Sequence, residues 1–179
     1  LSAGWKQITI AANSIYDPEV AVGGGQPTLR DNLFTLYKHA RVVSVKVTAL
    51  FYNTGGLHTR CGVVYTTDPA DTPFNISYVN DPMALTKDRA KFTTLSEYQG
   101  SRTMARITRT FNFKHFESDL FSSVNFRQNA AASPAKLLYL IVGVQNVVGT
   151  TSVSCRGEVN LEFTVRWEDP INAEMTQED

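Results

Sequence analysis

Strict alternation of apolar and polar residues over ten consecutive positions is the feature that most limits how this chain folds. Val159, Leu161, Phe163, Val165 and Trp167 alternate with Asn160, Glu162, Thr164, Arg166 and Glu168. Side chains of an extended strand point to opposite faces in turn, so this stretch covers a core with one face and meets solvent with the other. A second stretch repeats the pattern: Val43, Val45, Val47, Ala49 and Phe51 are apolar, with Ser44, Lys46 and Thr48 between them. Both predict half-buried strands.

Five further strands are predicted on shorter signals. Lys6–Ala11 alternates, and Cys61–Thr67 is β-branched and aromatic. Phe92–Tyr98 and Ala105–Phe113 carry Thr and aromatics at strand-favouring density. Leu137–Gln145 is apolar on both faces, as a central strand covered on each side would be. Turn signals separate them: Asn53-Thr54-Gly55-Gly56, Asp68-Pro69, Asn80-Asp81-Pro82, Ser133-Pro134 and Val148-Gly149-Thr150. Two connections are long, Tyr16–Asp31 and Thr66–Thr86. Helical signal is confined to a turn or two around Leu33–Lys38 and His115–Phe121. The expectation is an all-β, eight-stranded jelly-roll β-sandwich with long loops, forming one domain over residues 1–179. An immunoglobulin-type sandwich needs only about 100 residues and tighter turns.

Seventeen basic and seventeen acidic residues give zero formal net charge, which argues against a free-standing nucleic-acid-binding domain. The charge is unevenly placed. Lys87 to Lys114 holds seven basic residues and two acids, a balance of +5; Glu168 to Asp179 holds five acids and no base, a balance of −5. Cys61 and Cys155 fit no metal or redox spacing and read as core thiols, with one disulfide as the sharper reading. The longest apolar run, Leu137 to Val142, is far short of the roughly 20 residues of a membrane helix, so no membrane insertion is expected. Leu1–Trp5 has neither the basic start nor the apolar stretch of a secretion signal. It also lacks an initiator Met, which suggests processing, truncation or a segment upstream.

Several segments, in order, resemble the single-jelly-roll capsid proteins of circoviruses and related small circular single-stranded DNA viruses. The likeness begins at Tyr16-Asp17-Pro18, Gly23-Gly24-Gly25-Gln26-Pro27 and Leu36-Tyr37-Lys38. It runs through Ala40–Val47, Cys61–Asp68, Lys91–Thr94, Arg106–Arg109 and Leu138–Val142, and ends at Glu162–Pro170. Each piece alone is weakly specific; the ordered set covers most of the chain. The resemblance implies a viral capsid protein that self-assembles as a homo-oligomer into a small icosahedral shell of sixty subunits (T = 1). It further implies a packaged single-stranded DNA genome, bound without sequence preference, and a place in the virion and, during assembly, in the host nucleus. The family's Arg-rich N-terminal arm has no counterpart before Trp5. The host-cell receptor is unknown. Rival readings are a secreted lectin-like or cytokine-like binding module and the shell domain of a small RNA or satellite virus.

No enzyme is expected and no cofactor. His39, His58 and His115 are far apart, no G-x-S-x-G elbow occurs, and neither Cys has a His nearby in sequence. Gly23–Gly25 lacks the Lys-Ser/Thr and helix of a phosphate loop. Asn75-Ile76-Ser77 is a glycosylation sequon by letter only. Arg102, Arg106, Arg109 and Lys114 read either as phosphate contacts or as a solvated strand face or salt bridges to a neighbour's acidic tail, and strand alternation must aim some of them apart. Subunit contacts are expected at Tyr16, Phe74 and Tyr78 in the long loops, with cover of the domain's own core as the alternative for each, and at Glu168 and Asp169. Asp68 and Asp71, flanking a proline turn, form a weak divalent-cation candidate beside the plainer reading of a solvated loop.

Overall fold

The computed structural model describes residues 4–18, 26–55, 57–74, 88–96, 103–147 and 154–171. Seven strands lie among them: β1 (Trp5–Ala11), β2 (Tyr37–Asn53), β3 (Thr59–Thr66), β4 (Ala90–Leu95), β5 (Met104–Asn112), β6 (Tyr139–Asn146) and β7 (Cys155–Pro170). Each falls on a stretch that alternation or β-propensity predicts, and no eighth strand occurs among the described residues. Among the described residues helix is confined to α1 (Arg30–Phe34) and two short 3-10 turns, Phe113–His115 and Val124–Phe126.

The strands form two antiparallel sheets, ordered β1-β6-β3-β4 and β5-β2-β7. Only β3 and β4 follow one another within a sheet; every other connection crosses to the opposite sheet. That winding closes the two layers into a jelly-roll sandwich. Between the sheets lies the main core. The central strand β2 contributes Val45, Val47, Ala49 and Phe51, and β3 contributes Cys61, Val63 and Tyr65. Leu140, Val142 and Val144 come from β6, and Ile107 and Phe111 from β5.

One sequence expectation is corrected. The pairing of β2 with β7 slips between Val42 and Ser44, which oppose Val165 and Thr164. Val43 therefore has no partner and is half-exposed rather than a core residue. The bulge reverses the alternation: Ala40 and Val42 face the core before it, Val45 and its successors after it.

A second, smaller core covers the outer face of the four-stranded sheet. Phe74, from the loop after β3, is fully buried there with Val64, Ala90 and Ile141 and meets Phe92 edge-on at 5.8 Å. A Cβ on Gly143 would come within 2.5 Å of the Phe74 ring and 2.8 Å of the Lys6 carbonyl, so only glycine lets the ring lie on β6. This explains why β6 is apolar on both faces. The outer face of the three-stranded sheet carries no such cover over Lys46, Thr48, Thr108 and Glu162.

Candidate functional site

The exposed face of the three-stranded sheet carries Arg106, and the segment that holds Glu168 and Asp169 ends at its lower edge. Register sets its rows: Arg106–Leu50–Glu158, Thr108–Thr48–Asn160, Thr110–Lys46–Glu162 and Asn112–Ser44–Thr164. Lys46 Nζ donates to both Glu162 oxygens, at 2.8 and 3.1 Å, across two neighbouring strands. The face is thus hydroxyl-rich and of mixed charge rather than a basic field.

At its lower end, where β2 begins and β7 ends, a compact ion cluster forms. The Arg41 side chain is 1% exposed and the Glu168 side chain 9%. Arg41 donates through Nε to Glu168 Oε1 at 3.1 Å and through NH1 to the carbonyls of Leu120 and Ser123. Arg127 Nε sits 2.8 Å from Glu168 Oε2, an ion pair without aligned hydrogen-bond geometry. Arg166 adds a third guanidinium at 3.6 Å. Beside them His39 Nδ1 lies 2.7 Å from Asp169 Oδ2, and Arg127 NH1 lies 3.5 Å from the same oxygen. The His39 hydrogen bond first, then the Arg127 charge, hold the Asp169 carboxyl below its ordinary pKa. Glu168 and Asp169 are therefore occupied within their own domain. Both are held in an internal ion cluster, in which the Asp169 side chain keeps 46% of its surface exposed.

Arg106 and Arg109 face opposite ways, as alternation requires. Arg106 is exposed on the outer face. Arg109 lies opposite Val47 on the inner side, half-buried at the rim of the sandwich, with its guanidinium 5.5 Å from the Phe111 ring centre. It lines an open cleft of about 560 Å³ between β4 and β5 with Lys91, Phe92 and Asp88. Lys114 is elsewhere again, with Nζ 5.7 Å from the Phe121 ring, which Arg166 approaches at 5.5 Å from the β7 side. The predicted basic residues do not form one patch. Arg102 lies outside the described residues.

The loop residues divide similarly. Phe74 is corrected from interface anchor to core residue, because its ring is fully buried in its own domain. Tyr16 is half-buried beneath the Arg30 guanidinium, 5.0 Å from its ring centre, and Tyr78 lies outside the described residues. Asp68 Oδ1 accepts the Ala70 amide at 2.8 Å, and Asp71 takes the Thr66 hydroxyl, so both carboxylates are engaged in shaping their own turn. Among the described residues no three His, Cys, Asp or Glu side chains converge where a metal ion would fit. No helix among them is long and apolar enough to cross a membrane.

Cys61 and Cys155 are both free thiols. Burial first, and then the neighbouring Cys155, push the Cys61 thiol up to about 12; burial also raises Cys155, which stays half-exposed on β7. Sequence reasoning missed Arg41 and Arg127 altogether. The only available signal was an arginine inside an apolar run, Ala40-Arg41-Val42-Val43, where an unpaired charge would be costly.

The two antiparallel sheets define an all-β jelly-roll sandwich, with a polar outer face on the three-stranded sheet. No protein-family model matches the sequence, and no curated protein does. Among solved structures, the chain is similar to a protein of Broad Bean Stain Virus (12% identity, TM-score 0.45, covering 94% of this chain and 82% of that one). It is also similar to one of turnip yellow mosaic virus (14%, TM-score 0.44, 98% and 78%). A third is the T=1 subviral particle of a Penaeus vannamei nodavirus capsid protein deletion mutant (11%, TM-score 0.46, 96% and 94%).

Proposed function

We propose that this chain is a viral capsid protein, a single shell domain over residues 1–179 whose copies assemble into a closed icosahedral particle. The observation that carries the reading is one of order. Segments that resemble circovirus-like capsid proteins recur from Tyr16 to Pro170, and they supply strands β2 to β7 of a sandwich wound as a jelly roll. Long loops on a rigid two-sheet scaffold suit such a task, because they carry contact surface that the strands hold in place. A sixty-subunit T = 1 shell is the smallest closed icosahedral arrangement of identical chains.

The packaged partner in this reading is single-stranded DNA, held by its phosphates without base readout. Arg106 on the outer face of the three-stranded sheet and Lys114 on the turn after β5 are its contacts, with Arg102 and Arg109 as the remaining members of the basic stretch. Chemistry at an active site plays no part in it. The particle belongs in the virion, with assembly in the host nucleus.

The deciding experiment is the mass of the purified chain at near-physiological salt, with negative-stain microscopy. Uniform closed particles support the shell; a monomer or trimer that stays small across salt and pH removes it. Digestion of extracted nucleic acid with DNase or RNase then separates a DNA genome from an RNA one. If Arg106→Ala with Arg109→Ala leaves nucleic-acid content and its salt dependence unchanged, the phosphate assignment fails.

A further inference from the structure

Among the described residues Phe121 is the one aromatic side chain that the fold leaves exposed, at 38%. A single apolar side chain at a surface is ordinary. This one is held in place. It sits near the tip of the turn 117–123, where the Ser122 and Ser123 amides both donate to the Asp119 carbonyl, at 3.1 and 2.9 Å. Leu120, its neighbour in the chain, is fully buried and anchors the turn in the core. The buried Arg41 donates to the carbonyls of Leu120 and Ser123, on either side of Phe121-Ser122. An arginine that is costly to bury thus fixes the turn that presents the ring.

Two cations reach the ring from different elements. Lys114 Nζ, on the turn after β5, lies 5.7 Å from its centre, and the Arg166 guanidinium, on the outer face of β7, lies 5.5 Å from it. The Arg166 side chain is 59% exposed, and Glu168, at 3.6 Å from it, is held at shorter range by Arg41 and Arg127. Among the described residues no carboxylate lies within ion-pair range of Lys114. The acids of the turn act on Lys136 instead: Glu117 meets its Nζ at 2.6 Å, and the Asp119 charge reaches the same lysine. The next row of the sheet, Asn112–Ser44–Thr164, is polar and uncharged.

We propose that Phe121 stacks an unpaired base of single-stranded nucleic acid, with Lys114 and Arg166 neutralising the phosphates beside it. An exposed ring flanked by two exposed cations matches a base flanked by two phosphates, and every base has a face on which to stack. A contact between copies would have to bury both cations, whereas a phosphodiester supplies the missing anion with each base. This deepens the shell reading, on whose nucleic-acid partner it rests, by adding base stacking to phosphate contact.

The test is fluorescence anisotropy on the full chain in dilute solution with two labelled probes, an oligothymidine and an abasic deoxyribose-phosphate chain of the same length. Particle mass is followed in the same samples. The parent should bind the oligothymidine about tenfold more tightly than the abasic chain. Phe121→Ala should erase that preference and leave the slope of affinity against salt unchanged, because a ring displaces no counterions. Phe121→Tyr should keep the preference to within about threefold. Arg166→Gln should weaken both probes alike and lower the salt slope by about 0.7. Thermal unfolding of each variant checks that it is folded. Equal binding of both probes by the parent overturns the stacking and leaves the phosphate reading standing; binding of neither overturns both. A Phe121→Ala chain that keeps the preference also overturns the proposal, and if that chain no longer assembles, the ring is a contact between copies.

Discussion

The two sheets of this sandwich are built from similar strands and differ in what lies behind them. The four-stranded sheet is covered twice, by the shared core inside and by Phe74 and its neighbours outside. Among the described residues the three-stranded sheet is covered once, and its last strand pairs on one side alone. Burial of the same residue type therefore differs between them: Val142 on β6 is 4% exposed, while Val159 and Val165 on β7 remain partly open. Doubly covered structure is where stability resides. Singly covered structure is where surface remains for something else.

The strongest way to break this contrast is to truncate one apolar side chain on each side. Phe74→Ala should cost about 3–5 kcal/mol, the usual range for an emptied aromatic site, read by urea or thermal unfolding. Leu161→Ala on β7 should cost about 1 kcal/mol, because water already reaches part of the side chain. Equal losses would mean that the second core adds nothing. Next comes Arg41→Met, which leaves Glu168 with one close guanidinium and strips donors from the Leu120 and Ser123 carbonyls. A loss of roughly 3 kcal/mol is expected, the lower end for breaking a buried ion pair.

Glycine substitutions sharpen the same contrast. Gly143→Ala should destabilise by about 1–3 kcal/mol, because its Cβ would collide with a ring and a carbonyl that cannot both retreat. Gly157→Ala on β7 should change stability by no more than about 0.5 kcal/mol, since its nearest neighbour would be Leu50 O at 3.5 Å. The thiols test it without mutation. At pH 8 an aromatic disulfide reagent should titrate Cys155 readily in the native protein, and Cys61, at about 12 and buried, only after unfolding. Two fast native thiols would place Cys61 outside the core.

The smallest effect concerns acid. A carboxyl whose pKa is lowered on folding contributes stability above its unfolded pKa and loses it as pH falls through the folded one. Asp169 is such a group, so part of the acid destabilisation below about pH 3.8 should vanish in Asp169→Asn. An unchanged acid limb would show that the His39 contact does not persist in solution.

Alternation and β-propensity together located the seven described strands, because a strand with one wet face writes its burial directly into the residue order. The two-sided apolar run of β6 likewise announced cover on both faces, though not what supplied it. Three things were not legible. Phe74 sits in a loop of Pro, Asp and Thr, where no period marks an aromatic as core. Glu168 and Asp169 belong to an acidic run by count, yet their partners are more than forty positions away, Arg41 joining them through the β2–β7 register and Arg127 through the bridge between Ala40 and Gln128. Val43 continued a perfect alternation and was still misplaced, because no residue near it signals a bulge.

That bulge makes β2 two strands in different phase, joined by one spare residue. Removing Val43 would let one half of the strand keep its facing and invert the other. Either Ala40 and Val42 would turn to water while Arg41 swung into hydrocarbon, or Val45, Val47, Ala49 and Phe51 would do the equivalent. Substitutions at position 43 are cheap and deletions there are ruinous. Natural sequence drift along this lineage should therefore vary the letter at that site freely while holding the count fixed.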